Sequence, residues 1–573
     1  VTVRAFGGRL LPVALIVIVV LWWLPSGFNS GALIDEWSLL VWIDDGARPF
    51  FFPEIAPTRP LTYTPWIAAL ALTPESFVGM NILLCAAHAV KGLLLFRLLR
   101  RIMPEAPAFA WIGGVLFALF PADHGIFYMG AINIQWAVVL ALAAVNLLID
   151  AWRRPTIIRW IALWAVQIAA VFMYEAGIPL LLCAPLILLW LDRTGSLPLS
   201  TQWRGGRGVR WTEGRGVRFL RARRWIIVSV AWSAIPAAWF AYFIYTLTAG
   251  SSAYQASLLD VGATRWGLID GLAYMLRQNL VTGFVTGLEW LPRAPLGALV
   301  AAAGIGVGVA WLAASMTRPD LPKSHTSAPG LGGEVKTYLP LILAGLAATL
   351  IGFAVFIPTR DFSTQQYTWR LAMFSSIGAA VASAAALLLL PRRIIPIAAG
   401  ALIALAALRG MEQHERLRAQ AIRQQQIVHD IALQAPAVTD GTLFVLIDAS
   451  ETDAARAIQF NYVFEHAIQL TYGTRTIFAR LCYQDAASAN PAETCAFADE
   501  MITAAGIWGG VETFGYAQMI AFQLTPDGTI TLLEALPARY LNGANAATYA
   551  PRAHIDADAP PPARLTTLFE YRE

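Results

Sequence analysis

The sequence predicts an α-helical polytopic membrane protein with about eleven transmembrane helices and a small α/β domain at its C-terminus. Three observations predict it. Of 573 residues, 57% are hydrophobic and only 14% charged, whereas a soluble domain carries about 25% charged residues. Mean hydropathy is +0.57. Apolar runs of roughly the 17–25 residues that cross about 30 Å of hydrocarbon as helix recur as far as residue 408 and then stop.

The runs place spans near 10–28, 76–96, 105–121, 127–149, 158–177, 178–191, 225–247, 295–316, 338–357, 370–390 and 394–408. Two of them run together at Pro179. The runs are continuous rather than alternating, which argues against a transmembrane β-barrel. The first has a basic start, but it is long and no small-residue cleavage site follows, so it reads as a retained helix. Residues 1–408 form the membrane domain in this reading, and 409–573 the soluble one.

Charge placement gives orientation. Arg4 and Arg9 precede the first span; Arg97, Arg100 and Arg101 follow the second; Arg153, Arg154 and Arg159 follow the fourth. Segment 192–224 holds nine Arg against Asp192 and Glu213, and Arg392 with Arg393 follow the tenth span. Every second connection is basic, as cytoplasmic loops are. The expected place is the cytoplasmic (inner) membrane, N-terminus in the cytoplasm and C-terminal domain outside. Topology and contact with anionic lipid account for 192–224 more simply than nucleic acid does, so no nucleic-acid partner is expected.

The outer connection from about 29 to 75 is too long for a turn. Leu33, Trp37, Leu40 and Val41 recur at helical spacing, which predicts a short helix along the membrane surface, stopped by Gly46, Pro49 and Pro53. Thr58-Arg59-Pro60 opens a second apolar segment reaching Leu72. A second outer loop, 248–294, carries Arg265, Asp270, Tyr274, Arg277 and Glu289, with another surface helix expected; a third, 358–370, carries Arg360, Asp361 and Arg370.

Charged groups in or beside membrane helices are costly, which makes them functional candidates. Asp35 and Glu36 lead, since a carboxylate there suits general-base work; the bland alternative is a solvated surface helix. Asp123 and His124 sit where the third span emerges, and Asp123 is equally suited to capping the next helix. Asn81 and His88 lie seven residues apart on the second span, where a buried His is more often packed than ligating. Glu175 sits near the outer end of the fifth span, and a buried carboxylate needs a partner. Arg59, Arg360 and Arg370 can neutralise a phosphate by forked hydrogen bonds, or simply snorkel to the interface.

After Arg409 the composition turns polar. Residues 409–434 predict a polar helix, 442–448 a buried strand, 451–470 a helix, 475–483 a strand, and 515–535 a hairpin turning at Pro526-Asp527-Gly528. Residues 551–564 read as a Pro/Ala-rich loop. Cys85 and Cys183 fall in apolar spans and read as packing residues. Cys482 and Cys495 fall in the exported domain, where a disulfide is permitted. No residue spacing forms a metal cage, and none sets an oligomeric state.

The order of these pieces through residues 10–408 resembles the GT-C superfamily of membrane glycosyltransferases, especially its protein O-mannosyltransferase and tetratricopeptide-carrying O-mannosyltransferase branches. Asp35-Glu36 is similar to the Asp-Glu pair of their first outer loop. Arg59-Pro60-Leu61 followed by Asn81 through His88 resembles an Arg-Pro-Leu, then Asn-Leu-Leu-Leu-His run. Pro121-Ala-Asp123-His124 resembles a Pro-x-His-x-Glu element, Tyr174-Glu175-Ala-Gly177-Ile178 a Lys-Glu-x-Gly-Ile element, and Gln366-Tyr367-Thr-Trp369-Arg370 a late Arg-Tyr element. Two departures stand out: no acidic residue follows His124 unless Asp123 replaces it, and Tyr174 replaces the Lys. No tetratricopeptide repeat is present in the tail.

The resemblance implies a donor in the form of a polyprenyl-phosphate sugar and a hydroxyl acceptor on a protein, lipid or glycan. Asp35 is then the expected base, with Glu36 orienting it or the acceptor. Arg59, Arg360 and Arg370 would meet the donor phosphate, and Asn81, His88, Asp123, His124 and Glu175 would line the cavity. No obligatory metal or other cofactor is expected, although a divalent metal is compatible with the chemistry. Two rival readings are a non-catalytic scaffold or assembly subunit that lost the chemistry, and a transporter or lipid flippase. Transporters usually show paired repeats with broken helices, and none is found.

Overall fold

Long apolar runs satisfy their backbone polar groups most simply as helices, and helices dominate this chain even where Pro12, Pro236 and Pro340 fall inside them. The computed structural model describes residues 2–28, 30–33, 35–44, 58–74, 76–122, 129–193, 215–248, 265–317, 331–353, 369–449, 457–458, 460–483, 495–506, 510–541 and 543–566. In chain order its helices begin with α1 (Thr2–Trp23), α2 (Asp35–Asp44), α3 (Thr64–Leu72), α4 (Val78–Ile102), α5 (Pro107–Ala118) and α6 (Ile132–Arg153). Then come α7 (Ile157–Met173), α8 (Ile178–Cys183), α9 (Pro185–Arg193), α10 (Arg215–Thr248), α11 (Arg265–Arg277) and α12 (Gly283–Trp290). The last long helices are α13 (Leu296–Thr317), α14 (Leu331–Phe353), α15 (Trp369–Leu387) and α16 (Ile395–Gln434).

Among the described residues, six helical stretches are long and apolar enough to cross a membrane: Val78–Ile102, Met129–Arg153, Glu175–Asp192, Ala222–Thr246, Leu296–Thr317 and Ile395–Gln434. Shorter apolar helices cover Leu10–Ser26, Pro107–Ala118, Ile157–Met173, Tyr338–Phe353 and Ala372–Leu387. Each of the eleven expected runs falls on one of these. Large apolar side chains stay exposed along α10 and α13, among them Ile226, Val230, Val300, Val307 and Trp311. Such a surface suits lipid better than water.

The chain divides into two compact units, one of residues 1–27, 49–66 and 82–414, the other of 28–48, 67–81 and 415–573. In the first, Arg97 and Arg101 on α4 pair with Asp150 on α6 at 3.1 and 2.8 Å. Asn146 reinforces that contact by donating to the Leu94 carbonyl at 3.1 Å. Helices α14 and α15 approach most closely where small residues face each other. A Cβ on Gly378 would lie 2.3 Å from the Gly345 carbonyl oxygen, so only glycine permits this spacing.

The second unit holds the strands. A four-stranded sheet has the order β3 (Phe478–Tyr483), β2 (Leu443–Asp448), β7 (Met519–Leu524), β8 (Ile530–Leu532). β2 runs parallel to both β3 and β7, and α17 (Asn461–Tyr472) connects β2 to β3. Every residue of β2 is buried, as a central parallel strand covered on both faces requires. β7 and β8 form the hairpin expected over 515–535. Expected helix 451–470 begins only at Asn461; residues 451–456 lie outside the described ones.

Three features differ from the sequence reading. An antiparallel sheet of β4 (Ala496–Ala498), β5 (Met501–Ala505) and β6 (Val511–Gly515) was not anticipated. Helix α16 runs unbroken for 40 residues through the expected 408/409 boundary, because nothing in its interior removes a backbone donor. Within 551–564, β9 (Ile555–Asp556) pairs with β1 (Ala437–Val438), so this stretch is partly ordered by a backbone ladder.

Candidate functional site

In the first unit, α7 ends at Met173 and the backbone extends through Tyr174. Pro179 cannot donate to a continuing α7 ladder. The chain therefore makes a short 3-10 turn, Glu175–Gly177, before α8. Gly177 allows close packing there, since a Cβ would lie 2.6 Å from a ring carbon of Phe374 on α15 and the ring would have to shift. This break places Glu175 inside the fold, its side chain 8% exposed.

The partner that a buried Glu175 demands is Arg59. Arg59 donates from Nε to Oε2 at 2.7 Å and from Nη2 to Oε1 at 2.5 Å, a forked pair across 116 residues of chain. Its guanidinium also lies 4.5 Å from the Tyr174 ring centroid, and Tyr174 stacks on Phe374 with centroids 6.3 Å apart. Two bonds fix the Arg59 segment: Leu61 donates to the Phe172 carbonyl at 3.2 Å, and Asn133 donates to Thr62 Oγ1 at 2.6 Å. The fork and the ring face fix the plane of the guanidinium, as planar recognition of a phosphate or carboxylate needs. Arg59 keeps 29% of its side-chain exposure.

Next to Phe374, Ser375 meets Asn279, whose Nδ2 donates to the Ser375 hydroxyl at 3.2 Å and to the Met275 carbonyl at 2.9 Å. Asn279 belongs to a π-helical turn, Gln278–Thr282, between α11 and α12. Such turns insert one extra residue in a helix and recur at functional sites.

His88 and Lys91 lie one turn apart on α4. His88 donates from Nδ1 to the Ala118 carbonyl at 3.0 Å and packs against the rings of Trp22 and Trp23. Lys91, 1% exposed, donates to Gln135 Oε1 at 2.8 Å and lies 5.2 Å from the Phe117 ring. Sequence reading missed Lys91, although a lysine inside a span is itself the signal.

In the second unit, Glu36 is 0% exposed and its Oε2 accepts from the Leu33 backbone N at 3.3 Å. That bond satisfies a donor just ahead of α2, in the manner of a capping box. The expected surface helix is in fact packed within its unit: residues Glu36–Val41 are all buried and α2 lies against α17. Its apolar side chains cover the α/β domain's own apolar surface. Trp37 donates from Nε1 to Gln424 Oε1 at 3.1 Å, Ser38 and His466 share a hydrogen bond at 2.7 Å, and Arg475 donates to the Val41 carbonyl at 2.8 Å. Asn81 donates to the Ser30 and Phe77 carbonyls at 3.1 and 2.9 Å, which makes it a loop tie.

Cys482 and Cys495 are joined in a disulfide. Beside it, Arg480 is buried between Glu465 and Glu512. Burial raises the Glu465 pKa against the opposing pull of Arg480. A surface hollow of about 420 Å³, lined by residues including Gln434 and Asp527, contains none of the candidate residues.

Asp123, His124 and Arg360, with the side chains of Asp35 and Arg370, lie outside the described residues. Arg370 belongs by its backbone to the first turn of α15, four residues before Phe374. Among the described residues, no group of three or more His, Cys, Asp or Glu is placed to hold a metal ion. No family model, no curated protein and no solved structure matches this chain.

Proposed function

We propose that this chain is a GT-C-type membrane glycosyltransferase of about eleven spans, set in the cytoplasmic membrane with its C-terminal domain outside. It transfers a sugar from a polyprenyl-phosphate donor to a hydroxyl of a protein, lipid or glycan. The observation that carries the proposal is the Arg59–Glu175 fork, which links two of the motifs behind the family resemblance. A guanidinium held in one plane by a buried carboxylate and a tyrosine face suits the place where phosphate charge grows as the glycosidic bond breaks.

The reaction is a single inverting displacement. The acceptor oxygen attacks the anomeric carbon, the bond to the phosphate oxygen breaks, and polyprenyl phosphate leaves with the electron pair. The Asp35 carboxylate takes the acceptor's proton. Arg59 and Arg370 offset the charge gained by the phosphate, and Glu175 keeps Arg59 in orientation. Glu36 supports the turn into α2 rather than touching the acceptor, since its carboxylate is buried against its own backbone.

That burial also favours a second reading, a membrane scaffold that kept the fold and lost transfer. Membranes containing the wild type or Asp35→Asn, supplied with radiolabelled polyprenyl-phosphate mannose, glucose or galactose, separate the two. A transferase moves label from lipid to acceptor and loses this in Asp35→Asn while its folded yield is unchanged. A scaffold moves none in either form.

A further inference from the structure

We propose that His466, on α17 of the C-terminal α/β fold, is a positioning residue for transfer, acting through Ser38 to hold the Asp35–Glu36 end of α2. The inference rests on the transferase reading above. It gives the C-terminal fold a task within the reaction: it fixes the segment that carries Asp35.

A ten-residue helix is marginal in water on its own. α2 therefore takes its place from what it packs against. Three side chains far along the chain fix it. His466 and Ser38, both nearly fully buried, share their hydrogen bond at 2.7 Å, and Ser38 lies less than one turn from Asp35. Gln424, on α16, accepts from the Trp37 indole. Trp37 and Ser38 are adjacent and so point about 100° apart around the helix, which sets its rotation. Arg475 donates to the Val41 carbonyl. That bond ties down the last described turn of α2. Rotation and translation are both specified.

Ordinary packing would hold α2 equally well with apolar contacts alone. Three separate polar ties from α16, α17 and the loop after α17 to one short helix instead fix its register. Register matters when a side chain on the helix must meet a substrate, since misplacement by about 1 Å costs on the order of a hundredfold in rate.

The test uses the full-length protein in nanodiscs, with polyprenyl-phosphate mannose, glucose and galactose each offered as donor and native membranes as acceptor. His466→Ala and Ser38→Ala are expected to lower kcat about tenfold or more with the donor KM unchanged. Amide hydrogen exchange over 35–44 is expected to quicken in both. His466→Gln, which can still bond Ser38, is expected to recover most of both losses. Unchanged exchange over 35–44 overturns the inference, and so does unchanged kcat in variants of a wild type that transfers sugar. A wild type that transfers none defeats the transferase reading instead, and the inference falls with it; the exchange data then report the Ser38–His466 tie by itself.

Discussion

Replacing Arg59 by leucine strands the Glu175 carboxylate inside the helical unit. The pair is forked and Glu175 is 8% exposed, while Arg59 keeps 29%. Removing one partner of a fully buried pair costs about 3–5 kcal/mol because the other charge is left uncompensated. The exposed part of Arg59 lets water reach the site, which reduces the expected loss to about 2–3 kcal/mol. Loss of the Tyr174 ring contact is included in that figure. Arg59→Leu is therefore expected to lower the melting midpoint of the detergent-solubilised protein by roughly 4 °C, read from tryptophan fluorescence. The double variant Arg59→Leu/Glu175→Leu removes the stranded charge and is expected to recover more than half of the loss. Their cycle should return a coupling above about 1 kcal/mol. A double variant no more stable than Arg59→Leu would refute the reasoning, since Glu175 would then not be a buried charge in need of Arg59.

Three further outcomes follow from the packing and the C-terminal fold. Gly177→Ala places a methyl 2.6 Å from a ring carbon of Phe374 and is expected to cost about 1–3 kcal/mol; Phe374→Leu in the same protein should relieve it, as melting midpoints would report. Glu465 holds its proton more tightly in the folded state than its ordinary value of 4.5 allows, because it is buried. Its contribution to stability is therefore full below that value and lost as pH rises through the raised folded value. Denaturation of Glu465→Gln across this window should show a flatter pH profile than wild type. Replacing both Cys482 and Cys495 by serine opens a loop whose ends are 13 residues apart. It is expected to destabilise the C-terminal fold by about 3 kcal/mol, measured by proteolysis of its strands.

The apolar runs were legible because length and composition are local properties of the sequence, and each lies on an apolar helix. β2, β3 and the β7–β8 hairpin were legible for related reasons: Leu443–Ile447 is a continuous apolar run, and Pro526-Asp527-Gly528 is turn chemistry. The β4–β5–β6 sheet was not, because Ala-Phe-Ala and Met-Ile-Thr-Ala-Ala are short, have weak alternation and are ordered by pairing with one another. At the candidate site, the sequence announced that Glu175 needs a partner and that Arg59 is a costly cation. It did not join them, since 116 residues separate the two and no local period encodes the meeting. The packing of α2 was misread for the reason that an amphipathic face fits a protein surface as well as a membrane surface. Trp37, Leu40 and Val41 suit either, and only the fold of residues 415–573 decides between them.

The account turns on a donor phosphate meeting the guanidinium that Glu175 and Tyr174 hold in place. A cryo-EM map of the protein in nanodiscs with added polyprenyl phosphate tests this most directly. The predicted result is phosphate density within about 3 Å of the Arg59 guanidinium, as charge-assisted bonds require, and its loss in Arg59→Leu. Lipid phosphate density seated elsewhere, with the Arg59–Glu175 fork undisturbed and no density beside it, would contradict the account.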